Sequence, residues 1–499
     1  MSSFSSSPTL SLGPDVQLSI EELERASHSY ETHFELTPTA KKGLEDARSA
    51  LDRILEAGEP VYGVTTGFGP LHEYSAGDST EQGEKLLTHL ATGAGDLAEP
   101  TVVRAMMIAR LQSLAQGHSA IRLATIESVI DLLEASLVPA VPKIGSLGAS
   151  GDLTPLAHVA RACTGQGRIL QEDGKPIDAE RGLSSAGLET VSLDARDALA
   201  LVNGTSFMTG LASLAVARGQ RLLEKAEVLT GWAYRLLGCS LEALDPRLHE
   251  GREHDGQIDS AACIRREATR HGSAEKNERP LQEVYSLRCA PQILGAVRDQ
   301  INYVRSIVST ELNGVNDNPF INTKPSAVLH GGNFQGQQIA FAADALNEAL
   351  TQVGILAERQ IDVLLSPSKN GGAPPLLAWN PGPNSGLAGS QLTATALVAE
   401  MRQNAQMAGT SSIPTNNDNQ DVVSMGALAS RSAHEQTNHL ASILAVLGIA
   451  LSQFTHLQNE GNIDGTSTLP NWMPKFEPVV EDRELRSDID RISSHWLFP

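Results

Sequence analysis

Two long segments constrain this chain more than anything else in it. Residues 335–365 and 424–457 carry Ala, Leu, Ile and Gly at helical spacing with few charges between them. A helix that is apolar on several sides has to be buried on several sides, in a bundle or in the core of an oligomer. The same periodicity returns at 40–57, 80–92, 99–115, 122–136, 194–202, 208–236, 292–311 and 390–407. Strand signals are sparse. The best are VYGVTTGFG (61–69) and GRILQEDGKPI (167–177), the second with an Asp-Gly turn. Residues 251–280 are polar and charged, and residues 366–386 are dense in Gly, Pro and Asn, so both read as loops. The expected fold is mainly α, a long-helix bundle carrying its chemistry on loops.

Composition removes several classes of function. With 38 basic and 59 acidic residues the formal charge is −21, which argues against a phosphate-backbone partner. Cys163, Cys239, Cys263 and Cys289 form no CxxC pair, so zinc ribbons and dithiol redox sites are disfavoured and a reducing cytoplasm is expected. MSSFSSSPTL has neither the basic nor the apolar region of a signal peptide, and residues 1–17 read as a flexible tail. The apolar run 440–454 is too short and too rich in Ser to cross a bilayer, so it reads as a core helix. Dinucleotide, P-loop and HExxH motifs are absent, as are repeats at solenoid periods.

GSLGASGDLTPLAH (145–158) is the stretch that demands an explanation. Its residues are too small to fill a core, and Gly145, Gly148 and Gly151 would weaken a helix or a strand. Alone it would be a flexible loop before a helix starting near Pro155. It is not alone. VYGVTTGFG, LVNGTSF (201–207), YSLRCAPQILG (285–295), HGGNFQGQ (330–337) and NQDVVSMG (419–426) also set polar or aromatic residues beside small ones. Six such loops spread along the chain suggest one site assembled on a helical scaffold.

These segments, in this order, resemble the histidine, phenylalanine and tyrosine ammonia-lyase family, from about residue 18 through DRELRSDI (482–489). The resemblance implies a homotetrameric ammonia-lyase-like fold whose active sites draw loops from more than one subunit. It also implies a 4-methylideneimidazol-5-one group, MIO, made from Ala149-Ser150-Gly151, with no metal and no diffusible cofactor. In the family the Gly amide nitrogen closes onto the Ala carbonyl carbon, and a second loss of water, from the Ser, leaves an exocyclic methylene. Gly151 lacks the Cβ that would obstruct that closure, and Asp152 would help move protons.

Further roles carry over with the resemblance. Tyr62 would be the base that removes a substrate β-proton, on a loop that Gly63 and Gly67 suit for closing as a lid. Arg288 would pair with the substrate carboxylate, assisted by Asn419. Asn203 and Tyr285 would hold the MIO carbonyl and the amine region, and Gln282, Phe334 and Gln420 would line the pocket. Singly, Arg288 would read as a salt bridge, Asn203 as a cap and Tyr285 as packing. Only their joint match assigns chemistry. By the same resemblance the chain divides into an MIO-bearing lobe, 18–200, and a helical bundle, 201–499, forming one catalytic unit. His118, Ala120 and Asp255 depart from the family pattern without touching these roles.

Substrate choice turns on His89-Leu90, which resembles the tyrosine-selective members. Phenylalanine-selective members tend to show Phe-Leu, and histidine-selective ones Ser-His. An imidazole offers a phenol a hydrogen bond that Phe cannot. On an apolar helix face, with Leu86, Leu87 and Leu90 nearby, His89 would otherwise be a core histidine. Gln420, where histidine-specific members carry Glu, agrees with the aromatic branch. The expected reaction is L-tyrosine to trans-4-coumarate and ammonia. The alternatives are a tyrosine 2,3-aminomutase and a phenylalanine or histidine ammonia-lyase.

Overall fold

A computed structural model describes residues 8–171, 173–270, 279–460 and 469–497. The chain divides into two compact units. The first comprises residues 1–214, 305–344 and 407–431, and the second residues 215–304, 345–406 and 432–499. The two units interleave along the sequence. Four of the five unit boundaries fall inside the long helices Ser206–Leu237, Ala290–Leu312, Gln337–Leu365 and Gly426–Asn459, where no linker composition marks them, and the fifth follows Ala388–Asn404.

The first unit is organised around Pro100–Leu114, which is buried all round from Val102 to Leu114. Such a helix has no amphipathic stripe, and its polar residues must find partners inside. Arg104 donates to the carbonyls of Ala26, Ser27, Ser29 and Leu133. Arg110 donates to the Ala200 carbonyl and to Asn316 Oδ1. The helices Ser79–Leu90, Leu123–Glu134, Leu153–Cys163 and Ala195–Val202 belong to the same unit.

Its short strands are peripheral. Thr9–Leu12 pairs in parallel with His33–Leu36, and Leu12 and Leu36 are buried. The expected tail thus begins to be structured by Thr9, because its Leu residues alternate inward; residues 1–7 lie outside the described residues. Arg168–Leu170 pairs with Pro176–Asp178 as the hairpin signal predicts.

VYGVTTGFG is not a strand. Thr65 N–H donates to the Val61 carbonyl, Thr65 Oγ1 accepts from Val61 N–H, and Gly63 takes φ +69. A Cβ on Gly63 would lie 2.7 Å from Leu199 Cδ2, so the turn needs glycine for both reasons.

In the second unit Asp255–Thr269 is a helix where a loop is expected. Its buried stripe consists of Gly256, Gln257, Ser260, Ala261, Ile264, Glu267 and Ala268, so helical spacing is present but apolar residues mostly are not. Ser260 Oγ donates to Glu227, which Arg298 also meets, giving the polar stripe buried partners. Residues 271–278 lie outside the described residues, and residues 366–386 form a loop containing only the short turn Pro375–Leu377. Among the described residues, Gly426–Asn459 is a helix long and apolar enough to cross a membrane, longer than the run 440–454 suggested. Its most apolar window is 89% buried within the protein, as befits a core helix.

Candidate active site

Residues of the first unit line a cavity of about 1120 Å³ that brings together Tyr62, His89, Leu90, Ser150, Asn203, Phe334, Asn419 and Gln420. Eight of the sequence-derived site residues therefore share one concave surface, the usual form of a small-molecule site.

The Ala149-Ser150-Gly151 turn lies between two helix starts. Asp152 immediately precedes Leu153–Cys163, and Ser206–Leu237 begins beside it. The turn is folded back on itself, with bridges between Gly148 and Gly151 and between Ala149 and Gly151. Gly151 has φ +68, and a Cβ there would sit 2.3 Å from the Gly204 carbonyl oxygen. Only glycine fits this crossing.

Asp152 is fully buried and accepts from the Phe207 and Met208 amides at 2.9 and 3.0 Å and from Ser146 Oγ at 2.7 Å. The amides are the first donors of a helix N-terminus, an ordinary place for an anion. Burial nevertheless wins. It raises the Asp152 carboxyl to about 6, against the lowering effect of those hydrogen bonds. The group is therefore poised to exchange a proton close to neutral pH.

Asn203 ends Ala195–Val202 as its cap and also lines the cavity. Its Oδ1 accepts from the Asn318 N–H at 2.8 Å. That leaves Nδ2 to donate to the Ser150 carbonyl at 2.9 Å. Gln420 Nε2 donates to Ser150 Oγ at 2.7 Å. The loop before it holds Asn416, Asn417 and Asp418 in succession at φ 55, 55 and 59. Left-handed backbone at non-glycine residues is strained and gathers at functional sites.

Tyr62 Oη accepts from the Gly69 N–H at 2.8 Å, and its backbone N–H donates to His330 Nε2 at 3.2 Å. Burial raises the phenol above its ordinary value, and the Gly69 hydrogen bond opposes the rise only in part.

His89 is exposed to the cavity, whereas Leu86 and Leu87 on the same helix are buried. Its Nδ1 lies 3.0 Å from the Lys85 carbonyl. A carbonyl only accepts, so Nδ1 carries the proton and a neutral ring keeps Nε2 as an acceptor.

Gln282, Tyr285 and Arg288 belong to the second unit and do not line this cavity. Tyr285 is 69% exposed, and Arg288 stacks over its ring at 4.9 Å while donating from Nε to the Glu283 carbonyl. Among the described residues, Lys85 is the one Lys or Arg in the cavity lining, and it is paired with Glu81 at 2.6 Å. The sequence alone assigns no role to Asn318 or His330. His330 opens one of the six small-residue loops, but nothing local reveals what either residue touches.

A helical scaffold with a buried carboxyl behind a small-residue turn, and a phenol, an imidazole and amides around it, defines an enzyme site. The aromatic amino acid lyase family model matches residues 18–471. A tyrosine ammonia-lyase of Cereibacter sphaeroides is 41% identical over 486 residues, covering 93% of each chain. A tyrosine 2,3-aminomutase of Streptomyces globisporus is 40% identical over 484 residues, covering 90% of this chain and 88% of that one. The crystal structure of tyrosine aminomutase from Streptomyces globisporus superposes with a TM-score of 0.89 at 35% identity, covering 98% of this chain and 97% of that one. The chain belongs to the aromatic amino acid lyase family and is a carbon–nitrogen lyase.

Proposed function

We propose that this enzyme eliminates ammonia from L-tyrosine to give trans-4-coumarate. The observation that carries the substrate is His89. Its Nδ1 proton is committed to Lys85, so Nε2 is the acceptor a substrate phenol requires. Neutral Gln420 beside Ser150 supports the aromatic branch over histidine.

We further propose that Ala149-Ser150-Gly151 matures to MIO. The residues fit that group. The Gly151 crossing leaves no room for a side chain, Ser150 Oγ receives the Gln420 amide, and Asp152 lies buried behind the turn. Once formed, MIO supplies an electrophilic methylidene carbon that ordinary side chains lack. During maturation Gln420 polarises the departing Ser150 hydroxyl, and Asp152, with its raised affinity for a proton, acts as acceptor and donor. Asn203 Nδ2 holds the Ser150 carbonyl oxygen throughout.

In turnover Tyr62 Oη takes the β-proton of the substrate, and Phe334 and Leu90 supply apolar wall. Arg288 binds the substrate carboxylate, with Asn419 assisting, and Gln282 and Tyr285 complete the surroundings. These three residues of the second unit are contributed in a homotetramer by a neighbouring copy.

The test is product analysis with tyrosine, phenylalanine and histidine in parallel. Coumarate with free ammonia from tyrosine supports the reading. Accumulation of β-tyrosine instead would assign the aminomutase reaction, a reading the 40% identity to the Streptomyces globisporus enzyme keeps in view.

A further inference from the structure

Tyr62 and the Ala149-Ser150-Gly151 turn come from distant parts of the sequence, yet removal of a proton from a substrate held at the turn depends on their spacing. The hydrogen bonds show what sets it. The Tyr62 backbone N–H donates to His330 Nε2 at 3.2 Å. A backbone N–H only donates, so this ring nitrogen is the unprotonated one. The next residue, Gly331, donates its N–H to Asn318 Oδ1 at 2.7 Å.

Asn318 in turn donates its own N–H to Asn203 Oδ1 at 2.8 Å, which fixes the flip of that amide and sends Nδ2 to the Ser150 carbonyl. The Asn318 peptide is anchored from below. Its carbonyl accepts from Arg196, a guanidinium that also reaches the Ser119 carbonyl and the Asp317 carboxylate. The Arg196 and Asp317 side chains are 1% and 2% exposed, so this anchor is shielded from solvent and salt.

We propose that Asn318 and His330 are positioning residues that tie the Tyr62 loop and the Ala-Ser-Gly turn to one support. This rests on the reading of Tyr62 as the base. Neither side chain reacts. Asn318 presents a donor to the electrophile side through its backbone and an acceptor to the base side through its side chain. His330 carries the tie to Tyr62. Substituting either side chain therefore cuts the base side alone, because the Asn318 N–H to Asn203 survives any substitution except Pro.

The test uses the assembled full-length enzyme with His330→Phe, His330→Gln, Asn318→Ala and Asn318→Asp, and Tyr62→Phe as reference. Gln places an acceptor oxygen near the position of Nε2, and Asp keeps the Asn318 acceptor. The readouts are kcat and KM for tyrosine, the pH–rate profile, the mass of the peptide bearing residues 149–151, and exchange of the Tyr62 amide hydrogen.

His330→Phe and Asn318→Ala are expected to mature fully; His330→Phe should hold KM, whereas Asn318 also lines the cavity, so its variant is read on kcat and exchange. Their kcat should fall between about threefold and a hundredfold, the range spanned by one lost hydrogen bond and an ångström of misplacement. The pH–rate profile should move with kcat, the Tyr62 amide should exchange faster, and His330→Gln and Asn318→Asp should recover most of the loss. Unchanged kcat and unchanged exchange in His330→Phe, with Tyr62→Phe inactive, overturn the tie. So does a loss shared equally by maturation and kcat and not rescued by Gln or Asp, which marks a merely structural role. A normally active Tyr62→Phe enzyme instead overturns the assignment of the base, and the exchange measurement still reports whether the tie exists.

Discussion

Replacing His89 with Phe tests the substrate assignment most directly. His89 lines the cavity from the last turn of Ser79–Leu90, and its Nδ1 is engaged with Lys85 at 3.0 Å. The substitution keeps the helix and the Leu86 and Leu87 packing, because both are buried on another face. It removes one thing, the Nε2 acceptor. A tyrosine hydroxyl enclosed without a partner costs about 1–3 kcal/mol. Phenylalanine has no such group and gains apolar wall, so the ratio of kcat/KM should move toward phenylalanine by about ten- to a hundredfold. Steady-state rates with both substrates, followed by product formation, give the ratio. His89→Gln places an oxygen near the Nε2 position and should retain part of the preference for tyrosine. Equal losses on both substrates from His89→Phe would refute the reasoning and make His89 structural. A wild-type preference for histidine would refute it at the level of the branch, with Gln420 misread.

Other substitutions test the machinery. Ser150→Ala should fold yet lose activity by orders of magnitude, and the wild-type peptide around Ser150 should be lighter than its sequence by two waters; an unmodified mass in active enzyme contradicts maturation. Tyr62→Phe keeps the ring packing and should abolish turnover while 4-coumarate still binds; near-normal turnover would move the base elsewhere, with Tyr285 next in line. Asp152 lies at about 6 when folded against 3.8 for the unconstrained group, so the folded protein holds this proton more tightly and stability falls as pH rises through that window. The cost is fully present above about pH 6 and amounts to about 3 kcal/mol. Asp152→Asn should flatten that part of the stability–pH curve in denaturant titrations, and an unchanged slope would remove Asp152 as its source.

What the sequence discloses here follows the physics of periodicity. Gln337–Leu365 and Gly426–Asn459 are legible because a helix buried on many sides has to be apolar on many sides. Asp255–Thr269 is not, because Gly, Gln, Ser and Glu make up more than half of its buried stripe, and a Glu227–Arg298 pair elsewhere in the chain makes that stripe tolerable. The reverse error at VYGVTTGFG has a related cause. Its Val, Tyr, Thr and Phe residues resemble a strand, but Gly63 at φ +69 and the Thr65 hydroxyl close the segment into a turn. Strand Thr9–Leu12 follows a Ser-rich stretch of sequence, and nothing local names its partner, His33–Leu36.

The site shows the same limit in sharper form. Its chemistry-bearing residues are legible as residue types, but not the bonds that make them reactive. Asp152 reads as one more acid until burial and a helix start are seen together. Tyr62 goes further, because its surroundings within the first unit work against its proposed task. Burial raises the phenol, one Gly69 amide opposes that, and the cavity's cation, Lys85, is already held by Glu81. A phenol acts as a base near neutral pH only where its anion is stabilised. The first unit by itself supplies too little of that stabilisation. The proposal that Arg288 and Tyr285 come from a neighbouring copy therefore does more than complete a carboxylate site. On that proposal the Arg288 guanidinium, shared with the substrate carboxylate, would close the enclosure where the phenolate has to form, so assembly and proton abstraction would be parts of one requirement.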